Sequence, residues 1–140
     1  LLGNPVQVTA FTSNKAFSYQ VEDSAYLIIE FINDAYALAS FNWNMALKSD
    51  EFEIHGTLGK IIASPLDSES LFVLSDGEMK EYNLPRNDMT HLPLIENFIG
   101  SINNKDKLLV PGKEAAKASN IIDAAYTAAK MGLSTISTTR

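Results

Sequence analysis

Two runs, Ala25–Ile32 and Ala35–Met45, are rich in aromatic and β-branched side chains and are separated only by Asn33-Asp34; this constrains the fold more than any other feature. Runs of that composition bounded by turn formers read as strands, and a two-residue gap makes them a hairpin. With Asn33 and Asp34 at the tip, Ile32 pairs with Ala35, Ile28 with Ala39 and Tyr26 with Phe41 on one face. Phe31, Tyr36, Ile29, Leu38 and Leu27 then share the other. A hairpin with one wet face alternates apolar with polar residues, and this one is apolar on both. Each face therefore needs a cover. Helices of the same chain can supply one, and a second sheet or, preferably, a second subunit supplies the other.

The rest of the chain supplies those helices and further strands. Val6–Thr12 alternates with a period of two. Phe52–His55 and Lys60–Ala63 read as strands joined through Gly56-Thr57-Leu58-Gly59, and Leu71–Leu74 with Met79–Leu84 as a hairpin around Ser75-Asp76-Gly77-Glu78. Thr90 is the predicted N-cap of a helix with Pro93 in its first turn and Leu92, Ile95, Ile99 and Ile102 at helical spacing. Gly112–Met131 repeats the pattern, with Ala118, Ile121, Ile122, Ala125, Ala128 and Ala129 on one side and Gly132 at its close. Leu133–Ser137 reads as a short final strand. The class is α+β: an open, mostly antiparallel or mixed sheet with helices on one face, in a single domain over residues 1–140. Leu1-Leu2-Gly3-Asn4-Pro5 reads as the last turn of a helix closed by glycine and stopped by proline, which predicts that the natural polypeptide extends upstream.

Composition narrows the function. A net charge of -6, from 17 acidic and 11 basic residues without a local basic cluster, repels nucleic acid and anionic lipid. No apolar run approaches the ~20 residues of a membrane helix, and no secretory leader opens the chain, so the cytoplasm is expected. There is no cysteine, and the two histidines, His55 and His91, lie far apart, so no metal site is expected. His55, just before a turn, reads as a hydrogen-bonded structural histidine, and His91, at a helix start, carries no functional assignment. Glu51 with Glu53, or Asp67 with Glu69, reads as surface charge rather than a glycosidase pair. Lys113, Glu114 and Lys117 read as a solvated helix face. Trp43 forms a stripe with Phe41 and Met45 that fits an interface better than a sugar platform; Trp43, Phe41 and Tyr26 are the interface candidates.

Five pieces occur in a set order: Val21-Glu22-Asp23-Ser24-Ala25 with its hairpin; Glu53-Ile54-His55-Gly56-Thr57-Leu58-Gly59; Ile95-Glu96-Asn97-Phe98; Val110-Pro111-Gly112-Lys113-Glu114-Ala115; and Ala124-Ala125 running to Gly132. Together they resemble the C-terminal domain of the glucose-fructose oxidoreductase and inositol dehydrogenase family, Gfo/Idh/MocA, over about Pro5 to Ile136. One departure is the hairpin tip, often Asn-Gly in the family and Asn33-Asp34 here. The resemblance implies an open sheet behind an N-terminal Rossmann domain that binds NAD or NADP, and no G-x-G-x-x-G after a strand supplies that domain here. It implies that the catalytic lysine, aspartate and histidine fall upstream of Leu1, so that residues 1–140 hold no catalytic or cofactor-binding residue. The parent would oxidise or reduce a sugar, inositol or related polyol. This chain would supply substrate wall, with Asn42, Asn44 and Lys48 as candidates for hydroxyl contacts, and a subunit interface that makes a homodimer or larger. Alone it would be inactive and bind no cofactor. The competing reading is a freestanding, non-enzymatic dimerisation or ligand-binding module.

Overall fold

A computed structural model describes residues 2–85, 88–132 and 136–137. In chain order its elements are β1 (Pro5–Ser13), β2 (Ser24–Phe31), β3 (Tyr36–Asn42), β4 (Phe52–Gly56), β5 (Gly59–Ala63), β6 (Ser70–Ser75), β7 (Glu78–Asn83), α1 (Leu92–Ile102), α2 (Gly112–Met131) and β8 (Ile136–Ser137). The strands form two four-stranded sheets, ordered β3-β2-β1-β8 and β4-β5-β6-β7. All their pairings are antiparallel. The α+β class is thus as expected. The chain divides into two compact units, Leu1–Ala46 with Val110–Arg140, and Leu47–Leu109. Of the expected final strand, Leu133, Ser134 and Thr135 lie outside the described residues.

In the first unit, β2 and β3 form the predicted hairpin with a different register. Phe31 N–H donates to the Ala35 carbonyl at 2.9 Å and Asp34 N–H to the Phe31 carbonyl at 3.1 Å, closing a three-residue loop, Ile32-Asn33-Asp34. Asp34 takes the left-handed conformation at φ 61°, the form of a type I turn followed by one left-handed residue. The extra loop residue moves every pair by one. Ile28 lies opposite Leu38, Tyr26 opposite Ser40 and Ala25 opposite Phe41. Since successive side chains alternate between faces, Tyr26 and Phe41 sit on opposite faces, which corrects the expectation that they share one.

The face toward α2 is apolar as expected, whereas the opposite face is apolar only in part, because Glu30, Ser24, Ser40 and Asn42 stand on it. Val8 and Ala10 of β1, with Leu27 and Ile29 of β2, face Ala125 and Ala128 of α2, flanked by Ile121, Ala124 and Ala129. Small side chains on α2 let its backbone lie close to the sheet. The packing stripe is narrower than expected, because Ala118 and Ile122 are exposed and no residue of the first half of α2 is buried. Gly132 closes α2 in the left-handed conformation at φ 69°, as predicted.

In the second unit, β4 to β7 run as a meander. Thr57 and Leu58 turn between the paired Gly56 and Gly59. Asp76 and Gly77 both have positive φ, 52° and 78°, the two-residue turn that Asp-Gly favours. Gly59 is held to glycine by sterics, because a Cβ there would overlap the Leu74 carbonyl oxygen across the β5–β6 ladder. α1 starts one residue later than predicted: its N-cap is His91, not Thr90, and no side chain caps it. The reason is a turn in which Leu92 N–H donates to the Met89 carbonyl at 2.9 Å and carries the chain through Thr90. Asn97 pins the segment after α1, donating to the Lys107 carbonyl at 3.0 Å and accepting from Leu109 N–H at 2.9 Å.

Candidate functional site

The face of the first sheet opposite α2 is open, and its register arranges it in four rows across β1, β2 and β3: Gln7–Glu30–Tyr36, Thr9–Ile28–Leu38, Phe11–Tyr26–Ser40 and Ser13–Ser24–Asn42. Polarity therefore changes along the strands. In the Thr9 row the apolar Ile28 and Leu38 are exposed, Leu38 at 80%. Phe11 and Tyr26 carry the next row with ring centroids 6.4 Å apart. A shallow depression follows both rows, lined by Thr9, Phe11, Tyr26, Ile28, Leu38 and Ser40 among others. At the outer edge the Tyr36 hydroxyl donates to Glu30 at 3.3 Å, and the Glu30 charge raises the Tyr36 pKa.

The last row is polar and internally bonded. The Tyr26 hydroxyl donates to Asn42 Oδ1 at 3.0 Å, and Asn42 Nδ2 donates to Ser40 Oγ at 3.0 Å. Asn44 Nδ2 donates to Ser24 Oγ at 3.2 Å, and Ser24 Oγ donates to Asp23 Oδ1 at 3.0 Å. Asp23 is 1% exposed and ties three segments together. Its Oδ2 accepts from Lys15 N–H at 2.8 Å and Ala16 N–H at 2.6 Å. Its own N–H donates to the Ser13 carbonyl and its carbonyl accepts from Trp43 N–H, both at 2.9 Å. The Ala16 N–H above all holds its carboxyl below the usual aspartate range, against the opposing effect of burial.

Among the sequence candidates, Asn42 and Asn44 are brought together at this polar end. Lys48 falls in the second unit, exposed. Tyr26 lies on the open face, whereas Phe41 lies on the other face and is exposed. Trp43 is not part of a strand stripe with Phe41 and Met45, because β3 ends at Asn42, where Trp43 N–H turns to the Asp23 carbonyl. It stands 79% exposed, lining a notch with Tyr19, Val21 and Glu22. Glu22 accepts from the Tyr126 phenol of α2, which lowers the Glu22 pKa and raises that of Tyr126.

The His55 side chain is hydrogen-bonded. His55 Nε2 lies 3.0 Å from Glu53 Oε2 on one face of β4, and Lys60 Nζ lies 2.8 Å from Glu53 Oε1. Lys60 first, then His55, lowers the Glu53 pKa. Lys117 pairs with Glu114 at 2.8 Å on the exposed side of α2. Among the described residues no group of three or more His, Cys, Asp or Glu side chains is placed to hold a metal, and no helix is long and apolar enough to cross a membrane. Asp23 and Ser24 were not singled out as site residues from the sequence. The available signal was an Asp-Ser pair directly ahead of an apolar strand, where short polar side chains bind nearby backbone.

Residues 1–62 match the family model of the GFO/IDH/MocA C-terminal domain. No curated protein sequence matches the chain. Solved structures do match it in fold. The aldose-aldose oxidoreductase from Caulobacter crescentus, complexed with glycerol, is 20% identical with a TM-score of 0.82, covering 96% of this chain and 42% of its own. An oxidoreductase from Agrobacterium radiobacter in complex with NAD+, L-tartaric acid and magnesium is 19% identical with a TM-score of 0.83, covering 98% of this chain and 44% of its own. A levoglucosan dehydrogenase in complex with NADH and levoglucosan is 17% identical with a TM-score of 0.81, covering 98% and 45%. At these identities the likeness is one of fold, and the chain spans less than half the length of each of these proteins.

Proposed function

We propose that this chain, a domain of the Gfo/Idh/MocA C-terminal type, is the substrate wall and subunit contact of a cytoplasmic NAD(P)-dependent oxidoreductase that acts on a sugar, inositol or related polyol. The hydride chemistry and the dinucleotide would reside on an N-terminal Rossmann domain. One observation carries the reading: the open face sets the exposed Ile28 and Leu38 beside an aromatic pair and a row of hydroxyls with the Asn42 amide, within one small area. Apolar surface of that kind is what a partner subunit covers, and clustered neutral donors and acceptors suit a polyol rather than a charged ligand.

Among the described residues, the glycines at short spacing do not fit a dinucleotide. The close glycine pair, Gly56 and Gly59, turns between two antiparallel strands rather than from a strand into a helix N-terminus, so no pyrophosphate cradle forms there. We therefore assign no step of hydride transfer to these residues. Asn44 is the stronger substrate contact, since both ends of the Asn42 amide already have partners in Tyr26 and Ser40. Lys48 remains a candidate contact carried by the second unit. Tyr26 belongs to the subunit contact with Phe11, Ile28 and Leu38, and the exposed Phe41 and Trp43 to its margin.

Sedimentation velocity tests the contact. The chain should run as a dimer or larger, and Leu38→Lys should convert it to a folded monomer; a monomeric unsubstituted chain would refute the contact. Calorimetric titration tests the division of labour: the chain alone should give no heat with NADH, and tight binding would show that the cofactor site has been wrongly placed. In the full-length protein, Asn44→Ala should raise KM for polyol about tenfold with kcat largely kept, as loss of one uniform binding contact of ~1.4 kcal/mol would produce.

A further inference from the structure

Asp23 is the charged side chain buried among the described residues, and its hydrogen bonds carry a direction. An ionised carboxylate can only accept. The Ser24 hydroxyl, 3.0 Å from Asp23 Oδ1, must therefore point its proton at Asp23. That leaves only lone pairs on Ser24 Oγ for Asn44, 3.2 Å away, so the Asn44 amide has to turn its nitrogen inward. Its carbonyl oxygen is thereby turned away from Ser24. The same aspartate fixes the main chain one residue earlier, where its carbonyl accepts the Trp43 N–H at 2.9 Å. Neither end of this relay depends on the side chains that orient Asn42, which are Tyr26 and Ser40.

We propose that Asp23 is a positioning residue: acting through Ser24, it sets the polarity of the Asn44 amide so that Asn44 Oδ1 is presented as an acceptor to a hydroxyl-donating ligand. The ligand half rests on the substrate-wall reading above; the polarity half does not. The Asp23 contacts to Lys15 and Ala16 N–H would serve a purely structural staple equally well, so the discriminating position is Ser24, which those contacts do not involve.

The test uses the 15N-labelled chain and reads the two Asn44 Nδ2 protons by NMR. In the unsubstituted chain one of them should be well resolved from the other and protected from exchange with water. If both exchange as freely as those of an exposed asparagine, the proposal is overturned without any variant. Ser24→Ala should collapse that separation while backbone amides of β1 and β2 keep their positions, and Ser24→Thr, which restores a hydroxyl on a β-branched residue suited to a strand, should bring it back. Unchanged Asn44 signals in folded Ser24→Ala would overturn the proposal. Titration with myo-inositol should then shift the Asn44 signals of the unsubstituted chain and of Ser24→Thr, but not of Ser24→Ala. If the Asn44 pair responds to Ser24 as expected and inositol moves nothing, the polarity relay stands and the substrate-wall reading is what fails.

Discussion

Asp34 takes up a conformation that L-residues enter at a cost, at the tip of a hairpin that depends on it. Asp34→Gly removes the cost and should raise stability by about 0.5–1 kcal/mol, read as an increase in the midpoint of thermal unfolding. Asn33-Asp34 marks the turn in the sequence but not its class, because two residues with positive φ give one register and a single one gives another. Asp23 was harder to read. Its Lys15 and Ala16 partners are backbone N–H groups, and every residue but proline offers one, so nothing in the letters at those positions announces the bond. The consequence is visible in acid. A carboxyl whose pKa is lowered by folding adds stability that is whole above the usual aspartate range, near pH 4, and is lost as pH falls through its folded value. Glu22 and Glu53 are lowered too and act in the same direction. Asp23→Asn cannot titrate, so its loss of melting temperature between pH 7 and pH 3 should be smaller than that of the unsubstituted chain. Equal losses would show that Asp23 plays no part in acid sensitivity.

Elements were most legible where the chain is punctuated. Pro111 and Gly132 bracket α2, whose limits follow the prediction, and Asp76-Gly77 fixes the β6–β7 turn. Which residues of α2 pack was less legible, because periodicity places Ala118 and Ile122 on the apolar side without showing where the sheet makes contact. The packed stretch, around Ala125 and Ala128, has no room for a longer side chain, so Ala128→Leu should cost about 1–3 kcal/mol. Urea unfolding followed by Trp43 fluorescence would read that cost, since Trp43 is the sole tryptophan and lies in the same unit. Gly59→Ala should cost a similar ~1–3 kcal/mol for a different reason, a Cβ forced into the Leu74 carbonyl. Far-UV circular dichroism is the suitable probe there, because Trp43 belongs to the other unit. The polar end of the open face was half legible: Asn42 and Asn44 stand out as amides at the end of an apolar run, whereas Ser24 becomes their partner only through strand pairing.

At the scale of the whole molecule, the first unit is made of two separated stretches of chain, Leu1–Ala46 and Val110–Arg140, with Leu47–Leu109 placed between them. The cover for Val8 and Ala10 therefore comes from the far side of an inserted unit, at Ala125 and Ala128. The equilibrium penalty is small, because loop-closure entropy grows only with the logarithm of loop length. The temporal penalty is larger. On a ribosome the β1–β3 meander is complete while α2 is still unmade, and at roughly 5–20 residues per second the intervening unit takes several seconds to emerge. Through that interval the nascent sheet exposes both its faces, and the α2-side surface that ends as a core is available to any neighbouring chain. Polysomes bring such chains close together, so misassociation during synthesis, rather than weakness of the finished fold, is the hazard this connectivity creates, and slower elongation would lengthen it.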